Sequence, residues 1–377
     1  MTLEQAFDPR NNALNAIRLA LAAQVMLFHS FIISGHPLPQ VLRQLIFSVG
    51  VDGFFAISGF LITSSWLRHP RLRDYLVARA LRILPGFYVC LIVTAFIIAP
   101  LGVAIQGGPA AKLLMSAAPF EYVVDNSALA YVHFDVGGTP SGIPAAGAWN
   151  GSLWSLIWEA LCYLAVAVIG VVGLANRRWV SPVVLALSVL AATLLPPLSL
   201  SEAWTIPQLL VRSAIMFAAG ALLYQFKEMI PARWLFVGLS MVILFAAGLL
   251  PDYRVVAAIP LAYIVIVSGA LTRKPRLNLR TDLSYGMYIY AFPVQQLLAM
   301  CGLVGLSPYF FCVVSAGATL PLAILSWLLV EKRAMLLKSR LLRKWSIQAL
   351  PQPGAHREDT RSHRPANPPT PEVRGAA

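Results

Sequence analysis

Five ionisable side chains fall inside strongly apolar stretches of this 377-residue chain: Arg18, His29, Asp52, Glu159 and Arg212. Such groups cost a few kcal/mol at bilayer depth, so each one raises the question of function. Arg18 and His29 have ten residues between them. Eleven steps of about 100° return to nearly the same helix face, some 16 Å along it. An imidazole that titrates near neutrality can take a proton from a hydroxyl, and a carboxylate can hold its tautomer. Asp52, in "GVDGFFAISGF", and Glu159, in "NGSLWSLIWEALCYL", each lie roughly ten residues into their runs, about 15 Å deep. Three runs thus bring a His, an Asp and a Glu to one level. Ser155 and Tyr163 share the helix face of Glu159 at four-residue spacing. Arg79 and Arg82, in "ARALRILPGFY", lie one turn apart where guanidinium groups suit phosphate recognition. Together these residues fit group transfer from a phosphate-bearing donor by general base catalysis. They fit a proton-coupled transporter or a lipid-linked sugar carrier equally well, because the same groups at bilayer depth make a relay. Blander readings stand beside both: Arg18 as a snorkelling cation, Asp52 as a structural carboxylate for the His or an Arg, Arg79 and Arg82 as loop charge beside headgroups. Arg212 either pairs with a carboxylate of the bundle or faces an anionic ligand.

The elements that must position these groups follow from composition. Hydrophobic residues make up 58% of the chain and charged residues 12%, with a mean hydropathy of +0.71. Soluble domains carry about a quarter charged residues. An all-α polytopic membrane protein is expected, with about ten transmembrane helices near 13–34, 42–66, 76–105, 149–174, 179–200, 206–226, 233–251, 253–272, 283–306 and 309–331. The first run lacks a small-residue cleavage pattern and reads as a retained signal anchor. Of the 29 Lys and Arg residues, only Arg43, Lys112 and Arg254 fall in alternate loops and Arg212 within a span; the others flank the remaining loops and the tail. That alternation places both termini in the cytoplasm. The net charge of +13 sits between spans, so membrane lipids rather than nucleic acid are the expected partner. Residues 1–345 form one transmembrane domain, and 346–377 read as a disordered basic cytoplasmic tail. The outward stretch 106–148, rich in Gly, Pro and Ala, has no obvious regular structure and is placed to cover a site from outside. Cys90, Cys162, Cys301 and Cys312 show no paired spacing, so neither a disulfide framework nor a metal site is expected.

Five stretches resemble the motifs of the acyltransferase family 3 membrane proteins, which O-acylate surface polysaccharides, lipids and other extracytoplasmic acceptors. "RLALAAQVMLFHS" is similar to the family's Arg, ten residues, His pattern; "GVDGFFAISGFLIT" to its Gly-Val-Asp, Phe-Phe, Ser-Gly-Phe signature; "RALRILP" to its basic entry to the third span. "NGSLWSLIWEALCY" matches the Trp-Ser-Leu and Glu pattern, and "SYGMYIYAFPVQQ" resembles the late Ser-Tyr, Tyr, Pro motif. The terminal "WLLVEKRA" is weakly similar to the closing Val-Glu-Lys. The likeness covers residues 14 to about 333. Many members carry a histidine where this chain has Ala291, and the fused extracytoplasmic hydrolase-like domain of some relatives is missing after the last span.

The resemblance implies a bacterial inner-membrane O-acyltransferase. Acyl-CoA, commonly acetyl-CoA, would be the donor, and a hydroxyl of an exopolysaccharide, O-antigen or other lipid-linked glycan the acceptor. Carried onto this chain, it implies that Arg79, Arg82 and Arg18 hold CoA phosphates at the cytoplasmic mouth. His29 would act as general base or relay the acyl group, Asp52 would orient it, and Glu159 would assist. Ser155, Tyr163 and Arg212 would contact substrate.

Overall fold

The computed structural model describes residues 1–39, 43–198, 204–279, 281–337 and 341. Among them every named element is helical. Chain order is α1 (Leu3–Ala6), α2 (Leu14–Ile33), α3 (Arg43–Arg68), α4 (Leu72–Val93), α5 (Ala99–Ile105), α6 (Ala110–Leu114), α7 (Ala118–Asn126), α8 (Trp154–Val171), α9 (Val180–Leu194), α10 (Ile206–Gln225), α11 (Trp234–Ala247), α12 (Arg254–Leu271), α13 (Ser284–Met300) and α14 (Pro308–Ser326). A π-turn at Thr94–Ile98 joins α4 to α5 without a break, and another at Trp327–Glu331 carries α14 on to Leu337. The expected tail 346–377 lies outside the described residues, as do Leu42 and residues 199–200 at two of the expected span ends.

Among the described residues seven runs are long and apolar enough to cross a membrane: α2, α3, α4 with α5, α8, α10, α12 and the run that begins with α14. The other three expected spans are shorter helices. α9, α11 and α13 have 15, 14 and 17 residues. At 1.5 Å per residue they cover about 21–26 Å, less than the roughly 30 Å of a hydrocarbon core. Local chemistry sets these limits. α10 starts on a capping box in which Thr205 and Gln208 satisfy each other's backbone N–H groups. α13, expected to reach 306, stops at Met300 because Gly302 takes a left-handed conformation at φ +85°.

Contacts sort the helix ends into two sets. At one end the chain start is bonded to the α10–α11 connection, with Leu3 N donating to Ile230 O at 2.8 Å and Ala232 N to Met1 O at 3.0 Å. Asn15 donates to Leu279 O there, and Arg178 pairs with Glu228. At the opposite end Gln44 bonds Pro251 O, Phe31 packs on Tyr309, and Phe47 packs on Trp204. Successive long helices therefore run antiparallel.

The tightest seam is between α3 and α10. A Cβ on Gly59 would collide with the Phe217 carbonyl, and a Cβ on Gly220 would collide with that of Ala56. The two backbones touch, as small residues allow in membrane helix pairs.

The 106–148 stretch differs from expectation, since α6 and α7 fold within it. Asn126 closes the turn after α7: its amide donates to Tyr122 O and His133 O at 2.9 and 2.8 Å and accepts from Val132 N and His133 N. Gln296 of α13 then donates to Ala145 O and Ala148 O, both at 2.7 Å. Ile143 and Ala145 pack with Ile33, Phe292 and Phe311 over that end of α2 and α13.

Candidate active site

Arg18, one turn into α2, lines two cavities. The first also contains Arg79 and Arg82 of α4, Ser58 of α3 and Tyr163 of α8. The second contains Ser155 and Glu159 of α8, Phe54 of α3 and Ser284, Tyr285 and Tyr288 of α13. The structure thus brings together Arg18, Arg79, Arg82, Ser155, Glu159 and Tyr163, six of the nine residues singled out from sequence. A separate apolar cleft between α8, α9 and α10, lined by Val166, Val184 and Phe217, has no charged side chain on its wall and offers no chemistry for transfer.

The carboxylate of Glu159 is fixed on one oxygen. Oε1 accepts from Ser58 Oγ at 2.9 Å and from Tyr163 OH, one turn further along α8. Glu159 itself lines the second cavity, where a carboxylate is suited to receiving a proton or holding a hydroxyl. One turn before it, Ser155 Oγ lies 2.5 Å from Tyr288 OH, and Tyr288 in turn donates to Ser152 O at 2.9 Å.

Tyr288 is held by a break in α13. Pro293 has no N–H to give the carbonyl of Ile289 four residues back. Asn150 Nδ2 at 2.8 Å and Cys90 Sγ at 3.3 Å donate to that carbonyl instead. The proline of the late motif therefore creates an acceptor that ties α13 to α4 and to the entry of α8.

The three arginines differ in what already holds them. Arg18 and Arg82 both pair with Asp282, just ahead of α13, and Arg82 also approaches Glu331 at 3.5 Å. Arg79 makes no ion pair among the described residues; its Nε is buried without a hydrogen-bond partner, and its guanidinium lies 5.9 and 6.0 Å from the Tyr75 and Tyr163 rings. Burial alone would push the Asp282 carboxyl up, but the guanidinium groups of Arg18 and Arg82 outweigh it and hold the pKa down to about 2.

Asp52 and Arg212 stand elsewhere. Asp52 does not orient His29. Its Oδ1 takes Arg212 Nε at 3.0 Å, and its Oδ2 takes Arg254 Nε at 2.8 Å and Tyr253 OH at 2.5 Å. Two guanidinium groups outcompete an imidazole for a buried carboxylate because they are always charged and donate in a fixed fork. Arg212 lines neither cavity around Arg18. Its guanidinium is enclosed by the rings of Phe47 and Trp154, both 5.2 Å away, and Trp204 at 6.0 Å. This cluster binds α3, α8 and α10 together.

His29 lies about three turns along α2 from Arg18 and borders neither cavity. It is 6% exposed, its Nδ1 is buried with no hydrogen-bond partner, and the Phe292 ring stands 4.8 Å away edge-on. Phe292 follows Ala291, which packs with Ala22, Met26, Met287 and Ala323 in a small apolar cluster. Phe292 in turn packs with Ile143 and Ala145, so the ring beside His29 is itself covered by that segment.

Asp282, Glu331, Ser58, Tyr288 and Arg254 were not picked out from sequence. For Asp282 one signal was available: it is the single acidic residue in the basic segment 273–283.

The chain is 29% identical over 344 residues to an O-acetyl transferase of Shigella phage Sf6, covering 86% of this chain and 96% of that protein. It is 29% identical over 367 residues to Nodulation protein 10 of Rhizobium leguminosarum bv. viciae, covering 90% and 97%. No solved structure matches it. Residues 11–328 match the acyltransferase domain, which takes in every residue lining the two cavities except Met335. This multi-pass membrane chain therefore belongs to acyltransferase family 3 and is an acyltransferase.

Proposed function

We propose that the chain moves an acyl group, acetyl in the first instance, from cytoplasmic acyl-CoA to a hydroxyl of an extracytoplasmic or lipid-linked glycan at a bacterial inner membrane. The observation that carries this reading is the position of Arg18. It borders both the cavity of Arg79 and Arg82 and the cavity of Glu159 and Ser155, so a phosphate-binding wall and an acid–base wall share one side chain. The phage relative's name supports acetyl as the group transferred.

All ten long helices act as spans in this reading, with both termini cytoplasmic. Support comes from the antiparallel run of the helices and from the cations gathered at the end that holds the chain start. The three shorter helices complete their crossings with flanking residues. Arg79, which makes no ion pair among the described residues, is the first contact for a donor phosphate; Arg82 and Arg18 follow. The thioester reaches inward past Glu159. The acceptor enters beneath the 106–148 segment, beside His29. Its hydroxyl oxygen bonds to the thioester carbonyl carbon, the carbon–sulfur bond breaks, and the hydroxyl proton passes to His29 and on to the departing thiolate. Glu159, with Oε1 already engaged, positions the reacting groups through Oε2.

The test uses membranes containing the chain, radiolabelled acetyl-CoA and the producing cell's surface glycan fraction. Label should enter the glycan with wild type and be lost with His29→Gln at equal protein level. Label retained by His29→Gln removes His29 from the chemistry, and no label from wild type counts against acetyl transfer.

A further inference from the structure

Arg18 and Arg82 come from different helices and meet on a single atom, Oδ2 of Asp282, with Arg18 Nη1 at 2.5 Å and Arg82 Nη2 beside it. The other oxygen is engaged within the turn that starts α13: Oδ1 accepts from Ser284 Oγ at 2.5 Å and Ser284 N at 3.2 Å. Two guanidinium groups converging on one anionic oxygen is what they would offer an oxygen of a phosphate group. Glu331, on the π-turn after α14, adds a second carboxylate with Oε2 3.5 Å from Arg82 Nη1 and Oε1 3.2 Å from Ser326 Oγ.

The geometry points to Asp282 as a built-in occupant of the donor's phosphate position, which holds Arg18 and Arg82 when the cavity is empty and makes way for a phosphate of the incoming acyl-CoA. The inference rests on the reading of this cavity as the acyl-CoA site. Charge supports the exchange. Arg18 and Arg82 are held by Asp282, with Glu331 beside Arg82, whereas Arg79 makes no ion pair among the described residues and so keeps its charge for an incoming anion. A terminal phosphate carries about −1.5 to −2 at neutral pH and offers three acceptor oxygens. It is therefore a stronger partner for two guanidinium groups than one carboxylate. Asp282 remains ionised throughout the physiological range, so the competition is between anions and does not await a proton.

The effect differs between ligands. A thioester without phosphates does not compete with Asp282 for Arg18 and Arg82, so Asp282 weakens the binding of acetyl-CoA and leaves that of a small thioester such as S-acetyl-pantetheine untouched. Asp282 is a positioning residue in this scheme, acting through Arg18 and Arg82 and not on the reacting atoms.

The experiment is equilibrium binding to the purified full-length chain in nanodiscs, with radiolabelled acetyl-CoA as probe and S-acetyl-pantetheine as competitor. In Asp282→Asn the amide keeps the size of the side chain and an acceptor for Ser284. It should bind acetyl-CoA about tenfold tighter, one charge-assisted contact's worth of competition removed, with S-acetyl-pantetheine affinity unchanged. Glu331→Gln should shift acetyl-CoA binding in the same direction by a smaller factor, which keeps the test alive if Asp282→Asn does not fold. Equal weakening of both ligands, or no change in either, would mean that Asp282 is only structural and would overturn the proposal. Arg79→Gln and Arg82→Gln separate the underlying reading: acetyl-CoA affinity unchanged in both would remove the donor site itself. Weakened binding there without tightening in Asp282→Asn removes only the role given to Asp282. A phosphate of a lipid headgroup presents the same chemistry, so binding is compared in neutral and anionic nanodiscs. If anionic lipid abolishes the gain from Asp282→Asn, the occupant is a headgroup and the proposal falls.

Discussion

Arg212 Nε lies 3.0 Å from Asp52 Oδ1, with both side chains closed off from solvent. The carboxylate in the family-like "GVDGFF" stretch is therefore part of what joins α3 to α10 and to Arg254. Removing one partner of such a cluster leaves an uncompensated buried charge, which costs about 3–5 kcal/mol. Asp52→Ala should lower the thermal midpoint of the purified protein markedly, and any loss of transfer should follow the loss of folded protein. His29→Gln should leave the midpoint near wild type. An Asp52→Ala protein with a normal midpoint and no activity would return Asp52 to the chemistry.

Glu159 should behave in the opposite way. Glu159→Gln keeps the shape that Ser58 and Tyr163 recognise but loses the carboxylate that positions the reacting groups, and a misplaced reacting group costs about 10²-fold in rate. Transfer should fall by that order at unchanged protein level. Tyr163→Phe and Ser58→Ala each remove one hydrogen bond to a charged group, about 1.5–3 kcal/mol in contact energy. Their activities should lie between those of wild type and Glu159→Gln, measured as initial rates at saturating acetyl-CoA.

The α3–α10 seam gives a purely steric prediction. Because an added methyl at Gly220 would strike the Ala56 carbonyl, Gly220→Ala should destabilise by about 1–3 kcal/mol, as overpacking does. Gly317→Ala, on α14 with open space around its Cβ position, serves as the control and should have no measurable effect on the thermal midpoint.

The depressed pKa of Asp282 fixes the sign of one pH effect. A carboxyl held near 2 in the fold and near about 3.9 in an unfolded chain contributes stability that is complete above the higher value and is lost as pH falls through the lower one. The difference in thermal midpoint between wild type and Asp282→Asn should stay constant from pH 8 to about pH 5 and shrink toward pH 2. A difference that grows on acidification would contradict the ion pair with Arg18 and Arg82.

Helix positions and their alternating direction were legible in the sequence because apolar run length and flanking charge are local properties. The shared faces of Arg79 with Arg82 and of Ser155, Glu159 and Tyr163 were legible for the same reason, since helical periodicity fixes which residues share a face, and with Arg18 these side chains line two cavities. Partner choice was not legible. Asp52 and His29 reach similar depth, but Arg254, which captures the carboxylate, sits at a helix start where its charge reads as loop charge. Asp282 and Glu331 are acids among many bases, a pattern that ordinarily marks a solvated segment. The helices α6 and α7 were hidden because a Gly- and Pro-rich composition signals irregular chain, whereas Asn126 supplies the bonds that order it.

The backbone contacts of Gly59 with Phe217 and of Gly220 with Ala56 also constrain motion between α3 and α10. With no side chain between them to act as a bearing, α3 and α10 cannot slide or roll past each other without breaking van der Waals contact along the backbone. The Asp52–Arg212 pair locks their axial register. They must travel as one rigid strut. The clearance a long donor and a bulky glycan need has to come from the opposite wall, where α4, α13 and the end of α14 meet through replaceable ion pairs.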